Sequence, residues 1–189
     1  MIALMRTYLD ETAEAYRGRV LDAIGEHVRV LDSFVLGSGL LGGYRPGESD
    51  LDLVVVIDAP LQGGARQTAI ERIAALELPG RRLELVVYVH GKQPPDFELN
   101  VEVGADEARE APDEPDFWFV IDAAMAQARI PSWSEYFDHI SEERVREAVE
   151  QSLAWSTARP ELEFARLNAT RARHYLEHGE WMTKEEARR

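Results

Sequence analysis

The stretch FVLGSGLLGGYRPGESDLDLVVVID, residues 34–58, decides how the rest of the chain is interpreted. It passes from a short apolar run through Gly37-Ser38 and a glycine-rich crossing into a hydrophobic strand that opens with Asp50 and Asp52. Because side chains alternate along a strand, the two carboxylates point to one face, roughly 6.6 Å apart along the chain. Such a pair is costly without a cation, and Mg²⁺ is the expected ion. The alternative is a surface turn followed by two solvated aspartates.

A further acid lies near the start of a later apolar strand. Residues 83–90 read LELVVYVH, and Glu84 is the charged residue that needs an explanation. One interpretation is an edge-strand acid that faces water. The other places Glu84 on a strand beside Asp50 and Asp52, where it completes a cluster of three carboxylates. We favour the cluster because of the paired aspartates upstream, whose own strand, residues 51–57, is aliphatic enough to be central.

Apolar periodicity and turn residues predict the remaining elements. The loop-like segment 91–115 is the candidate boundary between a first domain, residues 1–110, and a helical domain, residues 111–189. Ser141 is expected to cap one of the later helices, and Gly179 is expected to end another. We therefore predict an α+β protein. Its helices are expected over residues 3–24, 67–76, 118–128, 141–154 and 161–177, and its strands over residues 28–36, 51–57, 83–90 and 97–103.

Gly37-Ser38, eleven further residues and then Asp50-x-Asp52 resemble the GS…DxD signature of the nucleotidyltransferase superfamily. The usual spacing in that superfamily is about one residue shorter, a difference that a loop can absorb. The resemblance implies a mixed β-sheet with flanking helices, and Mg²⁺ held by Asp50 and Asp52. It also implies that Gly37 and Ser38 anchor the nucleotide phosphates, and that Glu84 is the general base.

The second half of the chain resembles the helical-bundle domain of the aminoglycoside adenylyltransferases of the streptomycin/spectinomycin type. This narrower resemblance implies transfer of AMP from ATP to a hydroxyl of an aminoglycoside-like, cationic small molecule. It also implies that Arg171 and Lys184, which flank Gly179, bind the ATP phosphates; the alternative is that both are solvated helix charges. Relatives continue for several helices beyond this lysine, so we expect a truncated or reduced helical domain. The matching stretches are residues 97–100, 117–122, 152–155 and 168–184.

Three residues of the second half are candidates for binding the acceptor. Trp155, Glu161 and Glu163 occupy the region that touches the aminoglycoside in relatives. The resemblance implies that Trp155 stacks on the substrate and that a glutamate pairs with its amines. The alternative is a core tryptophan beside two solvated glutamates. A drug-contacting tryptophan of the family has no counterpart near residues 101–104.

Composition excludes several classes of protein. A net charge of −14 with no basic stripe argues against a nucleic-acid partner, and it suits either a polycationic small substrate or simple solubility. There is no cysteine and no apolar run near the ~20 residues that span a bilayer, so we expect a cytoplasmic protein with no membrane partner. Two other functions stay open, a protein-modifying adenylyltransferase of the toxin–antitoxin kind and a catalytically inactive nucleotide-binding module.

Overall fold

The computed structural model describes residues 9–189, and the chain forms two compact units. The first comprises the chain to Asp113 together with Glu135–Phe137, and the second comprises Glu114–Ser134 and Asp138–Arg189. The functional division expected at residue 110 stays a prediction. None of the helices in this described part of the chain has both the length and the apolar character needed to cross a bilayer.

A five-stranded sheet forms the first unit, and its strands stand side by side in chain order. The second and third strands run parallel, whereas the other neighbouring pairs are antiparallel. The mixed sheet is therefore confirmed. The fifth strand was not predicted, because it is only three residues long and lies in a charged segment. The strands are β1 (Val30–Val35), β2 (Asp50–Ile57), β3 (Arg82–Val89), β4 (Leu99–Val103) and β5 (Ala108–Glu110).

Strand β2 lies in the core of this unit, as its aliphatic sequence predicts. Its residues from Leu53 onward are all buried. Helices α1 (Glu11–Gly25) and α3 (Ala65–Ala74) flank the sheet, and Tyr16 of α1 and Ile73 of α3 join the same apolar cluster as Leu53. Helix α1 was predicted over residues 3–24; residues 3–8 of that prediction lie outside the described residues.

The glycine-rich crossing contains a short helix that the sequence did not predict. This helix, α2, spans Gly37–Leu41 and ends at Gly42, which has a left-handed φ of 82°. The backbone N–H of Leu40 donates to the carbonyl of Leu36 at 3.1 Å. One helical turn therefore compacts the crossing before the chain reaches β2.

The second unit is helical, as predicted. The side-chain oxygen of Ser141 accepts a hydrogen bond from the backbone N–H of Arg144 at 3.3 Å, which confirms the predicted cap. Gly179 adopts a left-handed φ of 73° and ends the last long helix, which confirms the predicted stop. The long helices are α4 (Asp116–Arg129), α5 (Glu142–Thr157) and α6 (Glu163–His178).

A buried polar contact ties α5 to α6. The amide of Asn168 donates to the hydroxyl oxygens of Ser152 and Ser156, each at 2.7 Å. All three side chains are buried. Because a buried amide is costly unless its hydrogen bonds are made, this contact fixes how the two helices are rotated against each other.

Candidate active site

The parallel strands β2 and β3 bring the three predicted acids together. In their register Asp52 lies beside Glu84, and Asp50 lies beside Arg82. Side chains two residues apart share a face, so both aspartates and Glu84 lie on one side of the sheet. A side-chain hydrogen bond joins Glu84 to Asp52, and it contributes to a raised pKa of the Glu84 carboxyl. We call Asp50, Asp52 and Glu84 the acid cluster.

Gly37 lies directly against the carboxylate of Asp52. Its φ is +52°, and a Cβ added there would stand 1.6 Å from Oδ2 of Asp52. The backbone also joins the two segments, since the N–H of Leu36 donates to the carbonyl of Asp52 at 2.9 Å. The carbonyl of Ser38 accepts a hydrogen bond from Gly43 at 3.0 Å, which closes α2. Glycine is therefore required at position 37 both for its backbone angle and for the approach of Asp52.

Two arginines that sequence reasoning missed bind the acid cluster. Arg81 holds Asp50 with two hydrogen bonds, from Nε to Oδ1 at 3.0 Å and from Nη2 to Oδ2 at 2.7 Å. Arg82 donates from Nη2 to Oε1 of Glu84 at 2.5 Å and lies 3.6 Å from Oδ2 of Asp50. Bidentate and charge-assisted contacts of this kind are the strongest hydrogen bonds that side chains make. The cluster is thus balanced by cations of its own chain.

A row of charged residues extends from the acid cluster across four strands. Asp52 on β2 pairs with Glu84 on β3, Glu84 pairs with Glu102 on β4, and Glu102 pairs with Arg109 on β5. Arg82 and Arg109 both bind Oε2 of Glu102, at 3.3 Å and 2.7 Å. We call these four paired residues the charge row.

A signal for part of this row was present in the sequence. Glu102 stands between Val101 and Val103, as an acid flanked by apolar strand residues, which is the criterion that selected Glu84. Arg82 stands two residues before Glu84 and therefore shares its face of the strand. The same reasoning applied to every predicted strand would have selected Glu102, whereas Arg82 lies just outside the predicted strand 83–90.

The two predicted phosphate-binding cations lie in the second unit. Arg171 donates from Nε to the backbone carbonyl of Met182 at 2.8 Å, which joins α6 to the segment that carries Lys184. The ammonium of Lys184 lies 5.9 Å from the ring centroid of Phe164. Their role toward a nucleotide stays a prediction.

The predicted acceptor residues lie at an aromatic cluster of the second unit. The rings of Trp118, Trp155 and Phe164 contact one another, with centroids 5.7 to 6.4 Å apart. The guanidinium of Arg159 lies 4.4 Å from the ring centroid of Trp155. Phe164 is among the most exposed large apolar side chains in the described part of the chain.

The two glutamates beside this cluster are exposed. Glu161 lies in the turn before α6, and Glu163 begins the helix, with its carboxylate 3.9 Å from Arg188. Both carboxylates face water, and Trp155 of the neighbouring aromatic cluster is only partly buried. Their role in acceptor binding stays a prediction.

Comparison with known proteins identifies the family. The model of the nucleotidyltransferase domain matches residues 18–137, which include β1 to β5 and the whole acid cluster. The chain belongs to the nucleotidyltransferase domain family. No curated protein sequence matches this nucleotidyltransferase. Its enzyme class therefore follows from the domain that contains the three acids.

A solved structure shares the fold over most of the chain. It is the crystal structure of a spectinomycin adenyltransferase from Enterococcus faecialis with ATP and spectinomycin. The superposition has a TM-score of 0.71 and covers 96% of this chain and 81% of that chain, with 19% sequence identity. At this identity the likeness establishes a common fold, which includes the C-terminal helices.

Burial and charge within the acid cluster perturb Glu84. Burial is the largest cause that raises its pKa from 4.5 to about 8, and the charge of Asp52 is the second. The guanidinium of Arg82 opposes both because it favours the ionised carboxylate. In the ligand-free nucleotidyltransferase, Glu84 therefore keeps its proton at neutral pH until further positive charge reaches the cluster.

The acid cluster fits a hard divalent cation by its chemistry. Carboxylate oxygens are the ligands that Mg²⁺ prefers, and the charge of Asp52 raises the pKa of Glu84, which shows that the two carboxyl groups stand close together. Within residues 9–189, no three His, Cys, Asp or Glu side chains are already arranged around one metal position. Both oxygens of Asp50 are engaged by Arg81 instead.

The metal-free enzyme is expected to lose stability as the pH rises from 5 to 8. The unfolded chain releases the proton of Glu84 near 4.5, whereas the folded chain keeps it to about 8. This contribution is therefore complete below pH 4.5 and is lost as the pH rises through 8. Because the side chain of Glu84 is 40% exposed, solvent screening reduces the loss to about 1–2 kcal/mol, or roughly 2–8 °C in Tm.

Thermal melts of wild type and Glu84→Gln in EDTA, from pH 5 to pH 8.5, measure this loss. The amide has no proton to lose, so the variant should gain stability over wild type as the pH rises. The exposed Glu77 lies outside the acid cluster, and Glu77→Gln should follow the wild-type curve. Parallel curves for Glu84→Gln and wild type would contradict the prediction.

Proposed function

We propose that this nucleotidyltransferase transfers AMP from ATP to a hydroxyl of a cationic, aminoglycoside-like small molecule and releases pyrophosphate. The observation that carries the proposal is the pairing of Asp52 with Glu84 across β2 and β3, with Gly37 against the Asp52 carboxylate. The acceptor class is supported by the fold shared with a spectinomycin adenyltransferase crystallised with ATP and spectinomycin. A net charge of −14 suits a cationic acceptor.

Asp50 and Asp52 are the proposed ligands of Mg²⁺. When bound, the ion supplies positive charge that neutralises the transferred phosphate and the leaving pyrophosphate. Asp52 reaches this position because Gly37 leaves room for its carboxylate. Asp50 reaches it from the same face of β2, two residues earlier. The two aspartates therefore orient the nucleotide, and geometry of this kind supplies much of the catalysis in phosphoryl transfer.

Glu84 is the proposed general base. The acceptor oxygen forms a bond to the α-phosphorus, the bond from that phosphorus to the bridging oxygen of pyrophosphate breaks, and pyrophosphate leaves with the electron pair. The proton of the acceptor hydroxyl passes to a carboxylate oxygen of Glu84. The side chain of Glu84 is 40% exposed, so an acceptor can reach it. Arg82, 2.5 Å away, favours the ionised form that the step requires.

The other proposed contacts come from the family resemblance. Gly37 and Ser38 offer backbone donors to the phosphates, and Arg171 and Lys184 offer positive charge. The acceptor is proposed to stack on Trp155 and to place its amines near Glu161 and Glu163. The guanidinium of Arg159 lies 4.4 Å from the centroid of the Trp155 ring, so this ring already makes a cation–π contact of the kind that a cationic acceptor would make. We propose that the enzyme acts in the cytoplasm, where ATP is abundant.

A mass-spectrometric assay tests the proposed function. The protein is incubated with MgATP and streptomycin, spectinomycin, kanamycin or gentamicin, and each drug is examined for the addition of one AMP. Modification of one drug, with equimolar pyrophosphate release, supports the proposal. Labelling of a protein in place of every drug would indicate a protein-modifying enzyme. ATP binding without any transfer would indicate an inactive nucleotide-binding module.

A further inference from the structure

The ion pair between Arg81 and Asp50 joins an exposed cation to a buried acid. The side chain of Asp50 is 6% exposed, whereas that of Arg81 is 65% exposed. Both carboxylate oxygens are used, at 3.0 Å and 2.7 Å. The arginine therefore approaches Asp50 from the solvent side, which is also the side from which any other cation must come.

Two turns hold Arg81 at this place. The N–H of Gly47 donates to the carbonyl of Pro79 at 3.0 Å, and the N–H of Arg81 donates to the carbonyl of Ser49 at 3.1 Å. A Cβ at Gly80 would stand 2.3 Å from the carbonyl oxygen of Ser49, so the close approach of the turns requires glycine. The backbone of Arg81 is thus fixed beside Asp50, while its exposed side chain keeps freedom to turn.

Arg81 and Arg82 differ in how strongly the protein holds them. Arg82 binds Glu84 at 2.5 Å and Glu102 at 3.3 Å, in addition to its 3.6 Å contact with Asp50. Arg81, in contrast, makes its two hydrogen bonds to a single acid, Asp50. If a divalent cation takes the oxygens of Asp50, repulsion between like charges acts on both arginines. Arg81 is the one that can leave.

We propose that Arg81 exchanges partners: it neutralises Asp50 in the metal-free enzyme, and it binds a phosphate oxygen of ATP once a divalent cation holds Asp50. This inference rests on the proposed function, which makes Asp50 a metal ligand. A guanidinium fits phosphate as well as it fits carboxylate, because both acceptors present paired oxygens to its planar fork. The displaced arginine would remain beside the acid cluster, since its backbone is fixed by Ser49.

Removing Arg81 is expected to change two affinities in opposite directions. Without nucleotide, Arg81→Gln should bind Mn²⁺ about 3- to 10-fold more tightly than wild type, because the competing cation is gone. With saturating metal, the variant should bind a non-hydrolysable ATP analogue about 10-fold more weakly, because a phosphate contact is lost. Isothermal titration calorimetry measures both constants without requiring transfer.

Arg109→Gln is the matched control. It removes the same charge from the same sheet and breaks a contact of 2.7 Å with Glu102, but it does not touch Asp50. We expect both of its affinities to stay within about twofold of wild type. Arg81→Lys keeps the positive charge but loses the planar guanidinium, so its metal affinity should lie between those of wild type and Arg81→Gln. The lysine variant is used for both titrations if the glutamine variant fails to fold.

The outcomes separate this inference from the proposed function. If Arg81→Gln weakens both affinities, or changes neither, the partner exchange is overturned. If wild type binds Mn²⁺, Asp52→Asn abolishes that binding and Arg81→Gln leaves it unchanged, the metal site stands and only the exchange fails. If wild type binds no Mn²⁺, the proposed function fails and the exchange fails with it.

Discussion

Replacing Asp52 with asparagine is expected to lower kcat for AMP transfer by about 10³-fold, while the fold and its thermal stability change little. Asparagine keeps the shape of the side chain against Gly37 and removes the charge beside Glu84. Removing one preorganised electrostatic group from an active site typically costs this much. Steady-state pyrophosphate release with the acceptor identified by mass spectrometry gives the rate.

The control is Asp58→Asn, at the end of the stretch 34–58 that also contains Asp52. Asp58 is exposed and follows the last residue of β2, so the variant carries the same chemical change outside the acid cluster. Its kcat should stay within about twofold of wild type, as for surface substitutions in general. Asp52→Asn with more than a tenth of the wild-type kcat would be incompatible with a metal ligand at this position.

Replacing Gly37 with alanine is expected to lower kcat by about 10²-fold and to destabilise the fold by about 2–4 kcal/mol. The new Cβ would stand 1.6 Å from Oδ2 of Asp52, so the carboxylate or the α2 segment must move. The positive φ of 52° adds the ordinary cost of a left-handed alanine. Chemical denaturation gives the stability, and the transfer assay gives kcat.

Two other glycines of the same segment separate the clash from the backbone strain. Gly47 has a φ of 76° with open space around its Cα, so Gly47→Ala should cost about 1 kcal/mol and leave kcat unchanged. Gly43 also has open space, without a positive φ, so Gly43→Ala should be neutral in both measurements. Equal behaviour of the alanine variants at 37 and 47 would show that Asp52 does not depend on Gly37.

The acid cluster was predictable because each acid breaks a local pattern. Asp50 and Asp52 open a strand that is otherwise aliphatic, and Glu84 interrupts another apolar run, so alternation along the strands placed them on defined faces. The sequence could not supply the register, which depends on how β2 and β3 align across the crossover that carries α3. The structure supplies it by pairing Asp52 with Glu84.

Arg81 escaped prediction for a different reason. Arg81 follows the Pro79-Gly80 turn, and a charged residue after a turn normally faces water. Its ion pair with Asp50 spans 31 positions in the chain and depends on the approach of two turns through Ser49. No periodicity reports a contact of that kind, so only the folded arrangement reveals it.

Local sequence signals predicted the helix ends of the second unit, whereas its long-range contacts were not predicted. Ser141 and Gly179 act through their own backbone surroundings, so the helix ends could be placed from sequence. The hydrogen bond from Arg171 to the carbonyl of Met182 has no such signature, because a backbone acceptor is the same whatever residue carries it. The short α2 helix was missed because glycine disfavours helices in general.

The pairing of β2 with β3 has a consequence for how preparations of this enzyme should be judged. A slip of one residue would turn Glu84 to the opposite face and leave Asp52 beside an apolar neighbour. The same slip would turn the buried side chains of Leu83, Leu85 and Val87 out of the apolar core, so a molecule with the wrong alignment also loses its core packing. A cooperative thermal transition in a preparation therefore reports the alignment of the acid cluster together with the integrity of the core.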